Sequence, residues 1–338
     1  AFTTQEFTSY YAKAKNEVFD NILDIVADTY LNPVFDEKEM EKEKSVIIEE
    51  INMYEDTPAR KVHDIFMELV YGDQPAGWDV AGRKEVIRAL KREDFVNYRK
   101  AYYLPQATTV IVSGGFDEKD VIKKIERYFS FFEIGPKSLK QKVFENQTKP
   151  TELIKFKDSD QTHLVMGFRA FDIFDKRKYA LEVLADILGG GMGSRLFQNI
   201  REELGAAYYV RAGSDLYSDH GLIEMSAGVD KDKLEAVIQA SLYEFNRFKS
   251  DLVTPKELKR AKDHLIGNMF LSLETSDELG YFYGAQEVMG MELKSPQETA
   301  KLLELVTSEE IQAVAKDLFR SESLNLALIG PFKDRSFV

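Results

Sequence analysis

Apolar Val18, Ile22, Ile25 and Val26 recur at helical spacing, and the pattern predicts a helix from about Gln5 to Leu31, broken at Asn32-Pro33. The opening AFTTQEFTSYY is at the same time strand-like in composition. A long helix is predicted from Asp36, which caps it through a D-x-x-E pattern with Glu39, to about Glu55. A further helix covers roughly Arg60 to Val70, and the glycine-rich turn stretch YGDQPAGWDVAG follows. Helix Arg92 to Ala101 leads into a predicted strand, Thr108 to Val112, then a turn at Ser113-Gly114-Gly115 and a helix from Asp120 to Phe129. In the second half, Leu164, Met166 and Phe168 alternate along a strand from Thr162 to Arg169. Helix Lys178 to Leu188 runs into Gly189-Gly190-Gly191. Strands surround Tyr208 to Val210 and Gly221 to Gly228, helices fill most of residues 231 to 320, and Leu324 to Ile329 forms a last strand.

The two halves repeat each other. At an offset of 216, Phe95 meets Ile311, Tyr102 meets Leu318, Val110 meets Leu326 and Gly114 meets Gly330. At an offset of 218 the long helix recurs, with Glu39 meeting Glu257 and Ile47 meeting Leu265. Two offsets that differ by two residues are expected of a duplicated α+β domain with small insertions. The polar, Lys-rich stretch 137 to 152, bounded by prolines, reads as the interdomain connection. This gives a first domain over 1–140, a linker over 141–152 and a second domain over 153–338.

Composition narrows the functional classes. The 338 residues carry 45 Lys and Arg against 58 Asp and Glu, a net charge of −13, which argues against a general nucleic-acid binder and favours cationic partners. With no cysteine, disulfides, thiolate zinc sites and cysteine nucleophiles are excluded. No apolar run is long enough to span a bilayer. Ala1 is not an initiator and the earliest methionine is Met40, so the chain reads as cut from something longer.

Several residues could carry chemistry. Glu43 and Glu50 lie seven apart and share a face of the long helix, with Ile47 and Tyr54 completing the stripe. A carboxylate on an apolar stripe calls for a cation, metal or donor, but the helix is Glu/Lys-rich and spacing alone favours solvated glutamates. Their repeat counterparts are Ala261 and Asn268, so any role belongs to one half only. His63, His163, His220 and His264 are separated by 100, 57 and 44 residues; no local two-histidine zinc motif exists, and each reads as a surface or structural histidine. GGGMGSR lacks the remainder of a phosphate loop and reads as a helix-to-helix connection. Arg201 and Tyr208 are either an ordinary surface arginine and strand tyrosine or a donor pair for a substrate carbonyl; spacing does not choose.

Three segments carry a family resemblance: AFTTQEFTSYY, VFDEKEMEKEKSVIIEEINMYEDTP and LGGGMGSRLFQNIREELGAAYYV. With them the chain resembles, over nearly its whole length, the pitrilysin/insulinase-type zinc metallopeptidases, which include the mitochondrial processing peptidases. The resemblance implies an α+β fold of two homologous α/β-sandwich domains, each an antiparallel or mixed sheet with helices packed on one face, enclosing a chamber. It implies zinc as cofactor, Glu50 as a metal ligand and Glu43 as a carboxylate supporting it. It makes Ala1, Phe2 and Thr3 part of an edge strand that pairs with an extended peptide, and Arg201 and Tyr208 the second domain's contact with that substrate. It implies a homo- or heterodimer, in a bacterial-type cytoplasm or the mitochondrial matrix.

The family's defining H-x-x-E-H, two zinc histidines and the general-base glutamate, lies upstream of the segment matching Ala1 and is not in this sequence. One glutamate does not hold a catalytic zinc. As written, the chain is expected not to hydrolyse peptides alone, while its parent protein is expected to be a zinc metalloendopeptidase acting on unstructured peptides or presequences. The rival expectations are a non-catalytic subunit of the same fold and a peptide-binding module indifferent to zinc.

Overall fold

The computed structural model describes residues 1–130, 140–333 and 335–338. The first residues of the Lys-rich connection, 137–139, lie outside the described residues.

In chain order the first part contains strands β1 (Phe2–Thr3) and β2 (Thr8–Ser9), then helices α1 (Phe19–Leu31), α2 (Glu37–Glu55), α3 (Pro58–Tyr71), α4 (Lys84–Ala89), α5 (Arg92–Tyr102) and α6 (Glu118–Phe129). There follow β3 (Thr151–Phe156), β4 (Gln161–Ala170), α7 (Lys178–Gly189), a π-helix (Phe197–Glu203), β5 (Ala207–Leu216) and β6 (Gly221–Asp230). The chain ends with α8 (Leu234–Ser250), α9 (Pro255–Leu271), α10 (Ser276–Val288), α11 (Pro296–Leu305), α12 (Ser308–Leu318) and β7 (Asn325–Gly330).

Two sequence expectations are corrected. The first helix begins at Phe19, not near Gln5. The Thr4 hydroxyl accepts from the N–H groups of Glu6 and Phe7 at 3.3 and 3.1 Å, and this local bonding closes a β-hairpin turn in place of helix. The predicted strand 108–112 does not form, because among the described residues no neighbouring strand pairs with it. Other boundaries follow their punctuation: Asn32 ends α1, and the Asp36 carboxylate accepts from the N–H groups of Lys38 and Glu39 at the start of α2.

The duplication is visible element by element. An offset of 216 carries α5 onto α12 at both ends, and an offset of 218 carries the starts of α2 and α3 onto those of α9 and α10. The chain divides into two compact units, neither continuous in sequence. The first contains Ala1–Ile51, Val80–Gln141 and Phe270–Ser295; the second contains Asn52–Asp79, Lys142–Met269 and Pro296–Val338. The breaks at Ile51 and Met269 are related by 218, those at Asp79 and Ser295 by 216. Each half therefore lends the equivalent helix to the other unit: α3 belongs to the second and α10 to the first.

The second unit is built on a five-stranded mixed sheet of order β3-β7-β4-β6-β5, in which only β3 and β7 are parallel. Alternation along β4 serves two cores. Leu164, Met166 and Phe168 point to one face, where α7, α8 and α12 supply Leu184, Phe245 and Val314 among others. Val165 points to the other, where Val62, Ile65 and Phe66 of α3 close over Leu222, Ala327 and Ile329. Phe66 is fully buried, which contributes roughly 2–3 kcal/mol. Among the described residues, no helix is long and apolar enough to cross a membrane.

Candidate functional site

The residues singled out in the sequence fall into three places. In the first unit, β1 and β2 form a hairpin in which Phe2 faces Ser9 and Thr3 faces Thr8. The Thr4 N–H donates to the Phe7 carbonyl at 2.8 Å, so Thr4–Phe7 is a hydrogen-bonded pair. Antiparallel pairs alternate, so Phe2 also turns its main-chain groups toward β2, while those of Thr3 and Ala1 turn outward along the free edge. The hairpin thus offers a short row of backbone donors and acceptors to an extended chain. The Phe2 ring stands 6.1 Å from Phe7 and 5.9 Å from Tyr11, so its side chain anchors the hairpin from within.

Glu43 and Glu50 both lie on α2 and both are exposed. Among the described residues neither has a hydrogen-bond or ion-pair partner. Ile51 is the buried residue of that helix, at 6% exposure, and Ile47 and Tyr54 are half-buried. The apolar stripe thus runs beside Glu50 rather than enclosing it, and its carboxylate is free to bind.

In the second unit, Arg201 and Tyr208 are brought together. Arg201 lies on the π-helix, its guanidinium 5.2 Å from the Phe197 ring centre, and its Nη1 donates to the Tyr208 carbonyl oxygen. The pairing of β5 with β6 skips from Ala207 to Tyr209, so Tyr208 is the extra residue of a β-bulge. That bulge turns the Tyr208 side chain into solvent, at 59% exposure, on an edge strand. A π-turn and a bulge flank Gly205, two irregularities that recur where a fold aims side chains at a ligand. The result is a cation and a phenol on one exposed rim, able to donate to a carbonyl or oxyanion.

All four histidines sit in structural contacts. His163 Nδ1 meets the Tyr209 hydroxyl at 3.0 Å, and His220 Nδ1 meets Asp219 at 2.7 Å. His63 Nδ1 lies 2.8 Å from Glu224. His264 Nδ1 meets Asp186 at 2.6 Å, and Asn268 Nδ2 donates to its Nε2 at 2.9 Å. Asn268 is the repeat counterpart of Glu50, so the second half closes this position with a neutral, satisfied amide. GGGMGSR connects α7 to the helical segment that begins at Arg195, as expected.

Zinc requires three protein ligands and an open position. Among the described residues no three His, Asp or Glu side chains come together to hold a metal ion. Glu50 alone does not fit a zinc ion, and the described residues do not complete a donor set around it.

Residues 1–83 match the family profile for insulinase-type peptidases, peptidase family M16, and residues 89–265 match that for the peptidase M16 inactive domain. A Bacillus subtilis protein described as an uncharacterized zinc protease, YmxG, is 34% identical over 331 residues, 98% of this chain and 80% of its own length. The chain belongs to the M16 peptidase family. A Rickettsia felis M16 relative, also described as an uncharacterized zinc protease, is 33% identical over 344 residues, 100% of this chain and 81% of that protein. The M16 fold extends to solved structures. A protease from Helicobacter pylori superposes with a TM-score of 0.86 at 19% identity, covering 94% of this chain and 77% of that one. A peptidase M16 inactive domain from Pseudomonas fluorescens gives 0.81 at 18% identity, covering 93% and 75%.

The sequence pattern gave no sign of α10 beside the hairpin, since Asp277 and Tyr281 stand some 270 residues from it along the chain. Nor did it reveal Glu224 and Asp215 beside His63.

Proposed function

We propose that this chain is the peptide-binding body of a zinc-dependent metalloendopeptidase acting on unstructured peptides or presequences. The observation that carries the reading is the Arg201–Tyr208 pair, a guanidinium seated on the carbonyl of a bulged tyrosine whose ring is held in solvent. Such a pair holds a peptide carbonyl in place and offers charge to the oxygen as it becomes anionic. The outward edge of β1 at Ala1 and Thr3 supports the reading from the other unit, because backbone pairing accepts an extended chain with little regard to its sequence. The net charge of −13 favours basic peptides in the encounter.

Glu50 would supply one carboxylate donor to a zinc ion whose remaining ligands come from elsewhere, and Glu43, on the same face two turns earlier, would support it electrostatically. H-x-x-E-H is not among residues 1–338, so the other ligands and the general base belong to polypeptide outside them, and the chain by itself binds peptide without cleaving it. The test measures both steps. A fluorescein-labelled unstructured basic peptide binds the isolated chain, and Arg201→Ala weakens that binding. Hydrolysis appears when polypeptide bearing H-x-x-E-H is supplied, and is lost with a chelator or with Glu50→Gln. Full hydrolysis by Glu50→Gln removes Glu50 from the metal shell; failure of the wild-type chain to bind the peptide removes the whole reading.

A further inference from the structure

The hairpin that presents the β1 edge is short, and two-stranded hairpins of this size are marginal without outside support. Within the first unit that support comes from α10. Asp277 forms an ion pair with Lys13 at 2.5 Å, just beyond β2. Tyr281, one turn further along the same face, sets its ring 6.0 Å from that of Phe2, at an interplanar angle of 51°. Phe2 is therefore enclosed by Phe7 and Tyr11 of its own segment and by Tyr281 of the remote helix.

The helix itself is fixed in place. Its start is secured by a reciprocal capping box between Thr275 and Glu278. A neighbouring row of the same helix carries Ser276, Gly280 and Gly284 at four-residue spacing, a small-residue strip against which Ile111 and Ser113 pack. The Ser113 hydroxyl donates to the Ser276 carbonyl at 2.5 Å. A Cβ on Gly280 would stand 2.9 Å from that of Ser113. The small residues let the chain approach closely, so α10 is held along one row while the next row holds the hairpin.

We propose that Asp277 and Tyr281 are positioning residues for peptide capture, fixing the β1–β2 hairpin so that the outward groups of Ala1 and Thr3 meet an incoming peptide already aligned. The inference rests on the reading of β1 as the peptide-pairing edge. Holding an edge strand in its bound conformation removes ordering entropy from the binding step. Loss of the clamp therefore weakens peptide binding while the fold stays intact, because both contacts are at the surface: Lys13 and Asp277 side chains are 61% and 48% exposed.

The experiment measures anisotropy of a fluorescein-labelled unstructured basic peptide on the whole chain, with thermal melting of each variant alongside. Tyr281→Ala is expected to weaken binding by about fivefold to tenfold, with Tyr281→Phe restoring it, since the ring and not the hydroxyl makes the contact. Asp277→Ala is expected to weaken it about twofold to threefold, the scale of an exposed ion pair. The double exchange Lys13→Asp with Asp277→Lys is expected to recover most of that loss. A wild-type chain that binds while all these variants bind equally well overturns the clamp alone. A wild-type chain that does not bind overturns the peptide-binding reading and the clamp with it.

Discussion

His63 Nδ1 lies 2.8 Å from a carboxylate oxygen of Glu224, a bond that ties α3 to the sheet beneath it. Burial alone would lower the histidine pKa. The hydrogen bond and charge of Glu224, with the further charges of Asp215 and Asp64, outweigh burial and hold it above its ordinary value. A folded-state pKa above the unfolded one contributes stability that is fully present below the unfolded value, about 6.5, and is lost as pH rises through the folded value. Thermal melting from about pH 5 to pH 9 is expected to show a decline over that window which His63→Asn abolishes. The side chain is 41% exposed, so solvent screening limits the effect to about 0.5–1 kcal/mol. A variant that keeps the full wild-type slope assigns the dependence elsewhere.

Arg195 is expected to be far more sensitive. Its side chain is 6% exposed; Nε donates to Glu257 at 2.7 Å, Nη1 lies 3.8 Å from Glu244, and the guanidinium stacks over the Phe248 ring at 4.2 Å. Burial pushes the Glu257 carboxyl up, but the Arg195 hydrogen bond and those of Thr254 hold it at about 2. Arg195→Met leaves Glu244, itself 3% exposed, with Arg247 as its remaining cation. The expected loss in urea denaturation is about 3–5 kcal/mol, the scale for breaking a buried pair on one side. A loss below about 1 kcal/mol would mean that the network carries little net stability. The depressed Glu257 pKa predicts a second sign: its contribution is present above the unfolded carboxyl value and fades as pH falls toward 2.

Much of this architecture was legible from periodicity. Leu164, Met166 and Phe168 alternate toward the larger core as their spacing requires, and the 216-residue repeat matches α5 to α12 at both ends. Local patterns could not show the exchange of α3 and α10, because amphipathic spacing says that a helix buries a face but not which sheet it buries it against. Residues Gln5 to Ser9 failed as helix because the Thr4 hydroxyl competes for the backbone N–H groups. At the candidate site, Arg201 and Tyr208 were nameable by resemblance, but the bulge that exposes Tyr208 depends on the register of β5 against β6 and is silent in composition. Glu50 falls on the apolar stripe by spacing, but the structure buries Ile51 and leaves the Glu50 carboxylate in solvent, because seven-residue spacing fixes a shared face and not its depth.

Two helical glycines are expected to respond oppositely to alanine. Replacing glycine within a helix gains about 0.8–1 kcal/mol from propensity. At Gly284 of α10 the new Cβ meets the terminal Cδ1 of Ile111, a side chain 47% exposed and free to rotate away. Gly284→Ala should therefore be neutral or slightly stabilising. At Gly189 of α7 the new Cβ would stand 2.3 Å from the main-chain nitrogen of Ala212 on β5, which has no such escape. Gly189→Ala should cost about 1–3 kcal/mol as α7 is pushed off the sheet. Denaturant midpoints of the two variants check the contrast, and equal shifts would contradict it.

Backbone exchange offers the sharpest comparison between the two halves. Residues Thr109 to Gly114 and β7, Asn325 to Gly330, are counterparts at the 216-residue offset, and both sequences alternate or run apolar as strands do. β7 is bonded on both edges, to β3 and to β4, and every one of its residues is buried. Among the described residues no strand pairs with 109–114, and Val110 and Ile111 are 39% and 47% exposed. Similar apolar patterning with different neighbours predicts different opening free energies. Amide hydrogen exchange followed on the isolated chain should find Leu326 to Ile329 protected close to the level of global unfolding. Thr109 to Val112 should exchange faster by about three orders of magnitude or more, since about 1.4 kcal/mol of opening free energy separates each decade. Equal protection of the two segments would mean that the 109–112 backbone has found partners in solution, and that its strand character is expressed after all.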